Sequence, residues 1–322
     1  MSIISSEFKP AWWCTHKHLQ TLYPTLFRKK VKLQVDTEIF ELPDGDFIEL
    51  SWTRNNNDVP IVIVLHGLEG SIDSPYAKGI LKVIDTNNWQ GVLMHFRSCG
   101  KKLNRLNRGY HSGDTKDLET LIHYLRKKYP NRKLAAIGFS LGGNVLLKYL
   151  GEKGKQSYLT VAMAVSVPFD LANSAETLNK GFAKFYQNHL ISRLRHKMKI
   201  KFKNKVAPFE IDKINQWKDF YSFDDNITAP IHGFSDASEY YSKSSSIQYL
   251  ITIETPTWIL YSKDDPFMDQ HAIPVESELS KHVTLEISQS GGHVGFIYGA
   301  TPFNEKYWFE KKIVDVFSTL NN

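Results

Sequence analysis

The stretch GFSLGG, residues 138–143, places Ser140 between two glycines in a Gly-x-Ser-x-Gly pattern. This pattern is typical of a strained strand-to-helix turn that exposes a nucleophilic serine, and it also occurs in ordinary glycine-rich turns. The flanking sequence separates the two interpretations. Residues 133–139 (KLAAIGF) form the apolar run of a buried strand, and residues 141–154 (LGGNVLLKYLGEKG) have a helical composition that stops near Gly151. Ser140 is therefore predicted to lie where a buried strand meets a helix, as a nucleophile of this kind requires.

Apolar runs alternate with amphipathic stretches along most of the chain. This alternation predicts an α/β fold with a mostly parallel central sheet flanked by helices, because parallel strands are joined by crossover helices that cover the sheet. The amphipathic stretches at residues 115–130 and 306–320 are predicted to be helices. The predicted strands cover residues 47–52, 61–67, 91–96, 133–139, 159–166, 257–262 and 283–288.

One segment departs from this alternation of strand and helix patterns. Residues 171–253 contain no run that indicates a buried parallel strand, and they are helical in composition and rich in aromatic side chains. We predict a single domain over residues 1–322, in which residues 171–253 are a helical cap inserted between two late strands. Most of the aromatic side chains are expected to form the core of the cap itself.

A serine nucleophile needs a base that removes its proton and an acid that orients the base. On a fold of this kind the chain order is serine, acid, histidine, each after a strand. His293 follows the last predicted strand and stands behind two glycines that permit a tight loop, in SQSGGHVGF (288–296). His293 is therefore the predicted base.

Two neighbouring aspartates are candidates for the acid. Asp264 and Asp265 lie in YSKDDPFM (261–268), at the end of the predicted strand 257–262. Pro266 favours an extended backbone at Asp265. We predict Asp265 as the acid and Asp264 as a turn residue, with the reverse assignment as the alternative.

Acyl transfer also needs donors for the oxyanion of the tetrahedral intermediate. The backbone N–H of Leu141, directly after the nucleophile, is one predicted donor. The second is predicted to be the backbone N–H of Leu68 in LHGLEGS (65–71), the loop after an early strand. His66 in the same loop is expected to be structural, because the base should come last in the chain.

The basic character of the chain is local. The net charge is +6, and residues 193–205 (RLRHKMKIKFKNK) contain seven Lys and Arg and no acid. This run, Arg193–Lys205, suits an anionic membrane surface, an acidic substrate or a solvated face. Its alternation of lysine with apolar residues fits neither face of a helix well. No helix-turn-helix, RNP-type motif or zinc knuckle supports nucleic-acid binding.

Several chemistries lack their motifs. The sequence has no GxxxxGK[ST] loop, no GxGxxG after a strand and no HExxH, so we expect no nucleotide cofactor and no metal. His16 and His18 are not expected to be metal ligands. There are two cysteines, no signal peptide and no apolar run long enough to span a membrane, so the expected location is cytoplasmic.

The chain resembles the α/β-hydrolase superfamily and, within it, the YheT-like branch of carboxylesterases. The resemblance implies a capped α/β-hydrolase fold, a Ser140–Asp265–His293 triad that uses neither metal nor organic cofactor, and hydrolysis of short-chain esters, acylglycerols or phospholipids. The loop HFRSCGKKLNRL (95–106) departs from the family's NFRG pattern and is expected to border the pocket. The motifs that carry the resemblance are HLQTLYPTLFR, LHGLEGS, YHSGDTKDL, GFSLGGNVLLKYLGE, GFAKFYQNHL, APIHGFSDASEYY, DDPFM and GGHVGF.

These features lead to three hypotheses about function. The first is a serine esterase or lipase that forms an acyl-enzyme on Ser140. The second is a thioesterase or acyltransferase that uses the same triad with another acceptor. The third is a binding protein without enzymatic activity on a hydrolase fold.

Overall fold

A nine-stranded sheet forms the centre of the computed structural model, which describes residues 2–29, 31–54, 58–302 and 304–321. The strand order is β1-β9-β8-β7-β6-β4-β5-β3-β2, and only the pairs β2–β3 and β3–β5 are antiparallel. The sheet is thus mostly parallel, as the sequence predicts. The strands are β1 (Ile3–Ser5), β2 (Val35–Glu41), β3 (Phe47–Thr53), β4 (Ile61–Leu65), β5 (Gln90–Met94), β6 (Leu134–Phe139), β7 (Val161–Val165), β8 (Thr257–Ser262) and β9 (Val283–Ser288).

Helices cover both faces of this sheet. On β4, Ile61 and Ile63 belong to one buried cluster, while Val62 and Val64 belong to another, because successive side chains of a strand point to opposite faces. Helices α3 and α4 supply the first cluster, and α2 and α10 supply the second. These helices are α2 (Ala77–Thr86), α3 (Lys116–Lys128), α4 (Leu141–Lys153) and α10 (Trp308–Phe317).

The ends of the chain differ most from the sequence prediction. Strands β1 and β2 and the helix α1 (Lys17–Phe27) were not predicted. Strand β1 has only three residues, β2 is an exposed edge strand, and α1 contains Pro24, so each gives a weak sequence signal. Helix α4 continues to Lys153 and ends at Gly154, whose φ of 50° ends the helix, rather than near Gly151.

Helices and turns fill the chain between β7 and β8. The described residues of this segment form α5 (Leu171–Leu178), α6 (Ala183–Lys201), α7 (Phe220–Phe223), α8 (Ala229–His232) and α9 (Ala237–Ser244). A π-helical turn, Asp224–Thr228, joins α7 to α8. The segment has its own apolar cluster, which includes Ile191, Phe202 and Trp217.

Much of the basic run lies on α6, contrary to the expectation that its pattern fits no helix face. Lys197 and Lys201 of the run lie against the protein, whereas Arg193, Lys199, Lys203 and Lys205 are exposed. Lys197 Nζ is 2.6 Å from Glu69 Oε1, and the Lys201 ammonium donates to Asn104 and to the Arg108 carbonyl. Contact of this run with an anionic membrane stays a prediction.

Within the described part of the chain, no helix combines the length and the apolar character that crossing a bilayer requires.

Candidate active site

Ser140 lies at the sharp turn between β6 and α4. Its φ of 52° and ψ of −121° are a strained combination for a residue with a side chain. The turn is fixed on both sides, because the Ser140 N–H donates to the Val165 carbonyl at 2.9 Å and the Ser140 carbonyl accepts from Asn144 N–H at 3.0 Å. The strand β6 lies inside the sheet between β4 and β7, so Ser140 is presented at the carboxyl edge of the sheet.

The turn needs glycine at position 142 for a steric reason. A Cβ on Gly142 would lie 2.5 Å from the His66 carbonyl oxygen and 2.6 Å from the Leu65 carbonyl oxygen. The start of α4 therefore packs directly on the backbone at the end of β4. This contact brings the loop after β4 close to Ser140.

His293 connects Ser140 to Asp265. Its Nε2 is 2.9 Å from Ser140 Oγ, and its Nδ1 is 2.8 Å from Asp265 Oδ2. The structure thus brings together the three side chains that the sequence singled out. Of the two aspartates left open by the sequence, Asp265 is the one that contacts His293.

Asp265 is enclosed, with an exposed fraction of 3%. Burial raises the pKa of its carboxyl group, while the neighbouring His293 ring and the Phe267 N–H act in the opposite direction. The Phe267 N–H donates to Asp265 Oδ1 at 2.9 Å, which leaves Oδ2 for the imidazole. The carboxylate can therefore hold one orientation of the His293 ring.

Asp264 has a different place. Its Oδ1 accepts from the Gly292 N–H at 2.9 Å and from the Ser262 hydroxyl at 2.5 Å. It thereby joins the end of β8 to the loop that carries His293. Two further donors in that loop, His293 N–H and Val294 N–H, reach Thr21 Oγ1 and Ser166 Oγ, both at 3.0 Å.

The ring of Phe267 covers one face of His293. The two ring centroids are 3.8 Å apart and the planes differ by 3°. This parallel stacking restricts rotation of the imidazole and keeps water from that face. Phe267 was not singled out from the sequence, although its place two residues after Asp265 is a usable signal.

The loop after β4 lies against Ser140. A Cβ on Gly67 would be 3.3 Å from Ser140 Cβ. The Gly67 N–H donates to Tyr76 OH and the Glu69 N–H donates to Tyr110 OH, both at 2.8 Å. The N–H of Leu68, between them, has no acceptor among the residues that the structure describes.

The second predicted donor, the Leu141 N–H, belongs to the first residue of α4. Such N–H groups at the start of a helix have no partner within the helix, and the positive end of the helix dipole lies there. Leu141 and Leu68 line the same cavity as Ser140 and His293. The two backbone groups therefore belong to the candidate site by position.

A cavity opens above Ser140 and His293. It adjoins a second cavity, to which the loop that departs from the family pattern contributes Arg97 and Ser98. Residues that line both cavities are Leu68, Ser112, Leu141, Phe220, Asp224 and Tyr240, so the two cavities share a wall.

Asp224 is a buried carboxyl group at the junction of these cavities. Burial raises its pKa to about 7, although hydrogen bonds from Thr228 and Tyr241 oppose the shift. The Thr228 hydroxyl donates to Oδ1 at 2.6 Å and the Tyr241 hydroxyl donates to Oδ2 at 2.9 Å. Sequence reasoning missed Asp224, because nothing in a single sequence marks a π-helical turn.

His66 and His18 each contact other parts of the protein. His66 is fully buried, and its Nε2 accepts from the Phe96 N–H at 3.1 Å. The ring of His18 lies 4.3 Å from that of Phe182. These contacts agree with the structural role expected for His66.

His111, Asp114 and His232 form the one cluster in the described part of the chain that has metal-ligand atoms close together, within 4.8 Å. Asp114 Oδ2, however, accepts from Arg108 at 2.6 Å, and burial together with the Arg108 charge lowers the pKa of His111. A guanidinium group at this position disfavours a bound cation. The cluster instead joins the loop before α3 to α8.

Comparisons with known proteins agree with this geometry. The family described as alpha/beta hydrolase fold matches residues 60–300. YheT of Escherichia coli (strain K12) is 39% identical over 320 residues, which cover 98% of this chain and 94% of YheT. Phospholipase ABHD3 of Homo sapiens is 28% identical over 315 residues, which cover 95% of this chain and 77% of that protein.

A solved structure gives the same fold. The esterase Pf2001 of Pyrococcus furiosus superimposes with a TM-score of 0.57 at 19% identity, and the match covers 89% of this chain and 93% of that chain. At this level of identity the likeness concerns the architecture alone.

Proposed function

The chain belongs to the α/β-hydrolase family, in the branch that includes YheT, and from this membership we propose that it is a serine hydrolase that cleaves carboxylic esters of lipids. The observation that carries the proposal is the continuous set of contacts from Ser140 Oγ through His293 to Asp265, at 2.9 and 2.8 Å. The protein is a hydrolase of the esterase and lipase type. What we propose in addition is the identity of its nucleophile and the class of its substrate.

In the proposed reaction Ser140 Oγ attacks the ester carbonyl while His293 Nε2 takes the hydroxyl proton. Asp265 holds the Nδ1 proton of His293 and stabilises the imidazolium that forms. The N–H groups of Leu68 and Leu141 stabilise the oxyanion. His293 then gives its proton to the leaving alcohol, and a water molecule activated by His293 hydrolyses the acyl-enzyme.

The helical segment 171–253 is proposed to act as a cap over this site. Support comes from the side chains that it contributes to the cavity of Ser140, which include Leu178, Leu190 and Phe220. These are apolar groups that suit an acyl chain. The name of the human relative, a phospholipase, supports a lipid ester as the substrate.

The test compares wild type with Ser140→Ala. Fluorophosphonate labelling and hydrolysis of p-nitrophenyl esters from acetate to laurate are measured on both proteins. Labelling and turnover are expected in wild type and are expected to disappear in Ser140→Ala. The matched control is Ser242→Ala, which changes an exposed serine on α9 and should retain both signals.

Two results would overturn the proposal. A folded wild type that takes no label and turns over no ester would remove the nucleophile assignment, and so would full labelling of Ser140→Ala. Product analysis with a competing alcohol shows whether water or an alcohol accepts the acyl group.

A further inference from the structure

Besides Phe27 at the end of α1, which is 60% exposed, four large apolar side chains are exposed on α1 and at the start of α6. The exposed fractions are 39% for Leu19, 66% for Leu26, 54% for Phe182 and 57% for Phe185. Large apolar side chains that are exposed together mark surfaces that bind something. We call these four residues the α1–α6 face.

Helix α1 packs on the start of α6, where the ring of His18 lies 4.3 Å from that of Phe182. Leu22 lies between Leu19 and Leu26 on one side of α1, at helical spacing, and it packs against a cluster that includes Ala183 of α6. The rings of Phe182 and Phe185 have centroids 5.8 Å apart. The exposed leucines therefore lie on the side of α1 that faces the start of α6.

A row of aromatic rings joins this face to the candidate active site. The ring of Phe182 is 5.9 Å from that of Tyr186, and the ring of Tyr186 is 5.1 Å from that of Phe267. Phe267 stacks on His293 at 3.8 Å. The α1–α6 face is thus continuous with the wall of the site.

The two chain segments that carry the face have charges of one sign. Residues 17–29 and 179–202 contain no Asp or Glu. Lys17, Lys180 and Lys184 are exposed beside the apolar side chains, and Lys180 is paired with Glu176 of α5. Cationic residues around exposed aromatic and leucine side chains complement an anionic lipid surface.

The same charges disfavour a second copy of this chain as the occupant. A symmetric dimer through this face would bring Lys17 and Lys184 of one copy against the equivalent lysines of the other. A lipid surface gives these lysines negatively charged partners instead.

We propose that the α1–α6 face docks this protein on an anionic membrane surface, with Phe182 and Phe185 inserted among the lipids and Lys17 and Lys184 at the headgroups. The docked orientation places the aromatic row beside the bilayer, so that a lipid ester reaches Ser140 along it. This second consequence rests on the proposed function, whereas the docking itself does not.

The face differs from the basic run that the sequence suggested for membrane contact. Arg193 donates to the Glu69 carbonyl at 2.7 Å, and Lys199 donates to Asn215 Oδ1 at 2.8 Å. These contacts hold cations of the run against the protein itself. Lys203 and Lys205 at its end are exposed, although Lys205 also donates to the Arg105 carbonyl, and these two lysines serve as the comparison in the test.

The experiment is flotation of the full-length protein with vesicles of phosphatidylcholine alone and of phosphatidylcholine mixed with phosphatidylglycerol. Wild type is expected to bind the mixed vesicles, and high salt is expected to weaken that binding. The double variant Phe182→Ser/Phe185→Ser is expected to bind these vesicles at least about tenfold more weakly than wild type. Lys17→Gln/Lys184→Gln is expected to lose the preference for the anionic lipid.

The matched controls replace exposed apolar or basic side chains that lie outside the α1–α6 face. Tyr158 and Ile251 are 48% and 52% exposed, and they lie near the starts of β7 and β8, at the other edge of the sheet from Ser140. Tyr158→Ser/Ile251→Ser should bind vesicles as wild type does. Lys203→Gln/Lys205→Gln should also retain binding.

Hydrolysis of p-nitrophenyl acetate, a soluble ester, is measured on each protein in parallel. The proposal is overturned if wild type does not float with the mixed vesicles, or if Phe182→Ser/Phe185→Ser floats as well as wild type. Loss of binding in Lys203→Gln/Lys205→Gln alone would assign docking to the basic run instead. Vesicle binding without ester turnover in wild type would support the docking and contradict only the proposed function.

Discussion

At the scale of single residues, the two adjacent aspartates after β8 have separable roles. Asp265 contacts His293 Nδ1, whereas Asp264 contacts Gly292 N–H and Ser262. Asp265→Asn is expected to lower kcat by about 10³ to 10⁴, because an amide cannot hold the required tautomer of the imidazole. Steady-state kinetics with a p-nitrophenyl ester measure the loss.

Asp264→Asn is the matched comparison for this prediction. An asparagine side chain retains an oxygen that accepts from Gly292 N–H, so the loop should stay in place and kcat should fall far less. Equal losses in Asp264→Asn and Asp265→Asn would contradict the assignment of Asp265 as the partner of His293. Thermal unfolding of both variants shows whether either loss reflects damage to the fold.

The sequence could identify candidate site residues at strand ends, but it could not identify those that packing brings to the site. Ser140, Asp265 and His293 each follow a strong strand signal, and chain order gives their roles. Asp224 has no such signal, and Phe267 has only its place two residues after Asp265, since both positions depend on how the helical segment and the loop after β8 fold over the site. The choice between Asp264 and Asp265 needed the distance to His293.

At the scale of elements, the junction of β6 and α4 depends on close backbone contact. Gly142→Ala is expected to destabilise the protein by about 3 kcal/mol, because the new Cβ would clash with the carbonyl oxygens of His66 and Leu65. Neither oxygen belongs to a flexible side chain that could move aside. Urea unfolding followed by circular dichroism measures the change.

Gly109→Ala is the matched control for this substitution. A Cβ on Gly109 has no heavy atom within 4 Å, and its φ is not in the left-handed region. Its free energy of unfolding should stay within about 1 kcal/mol of wild type. Comparable destabilisation in both variants would show that the close contact at Gly142 is not what fixes the turn.

The elements that were predicted correctly are those with strong local patterns. Strands β8 and β9 have the predicted bounds because a largely apolar run in β8 and an alternating apolar pattern in β9 are each bounded by polar residues. Helix α6 was harder, since its basic side chains bind groups distant in the sequence, such as Glu69 and Asn104. A pattern that looks unsuited to a helix face becomes suitable once such partners are present.

At the scale of the whole molecule, several buried titratable groups make stability depend on pH. Burial lowers the pKa values of His66, His111 and His232 to about 3. Burial raises the pKa of Asp224 to about 7. The first three groups are uncharged imidazoles in the folded state at neutral pH.

These two kinds of group act in opposite senses on acidification. As the pH falls below 6.5, the unfolded chain protonates its histidines while the folded protein does not, so stability is lost. Asp224 takes up its proton in the folded state first, as the pH falls through about 7, so it adds stability. Four other groups make smaller contributions to the pH dependence that oppose each other. The lowered pKa values of His18 and His95 reduce stability on acidification, as for the three histidines, whereas the raised pKa values of Asp117 and Asp265 increase it, as for Asp224.

Three histidines against Asp224 leave a net excess of about two protons bound by the unfolded state below pH 6. Stability is therefore expected to fall on acidification from about pH 7 to about pH 5, with a slope that approaches 3 kcal/mol per pH unit, from about 1.4 kcal/mol per group. Urea midpoints across this range measure the slope. His232→Asn should flatten it and Asp224→Asn should steepen it, because each removes one titrating group of known sign. An unchanged slope in both variants would mean that His232 and Asp224 titrate alike in the folded and unfolded chains. The contact between the helical segment and the sheet would then not exclude water from these two side chains.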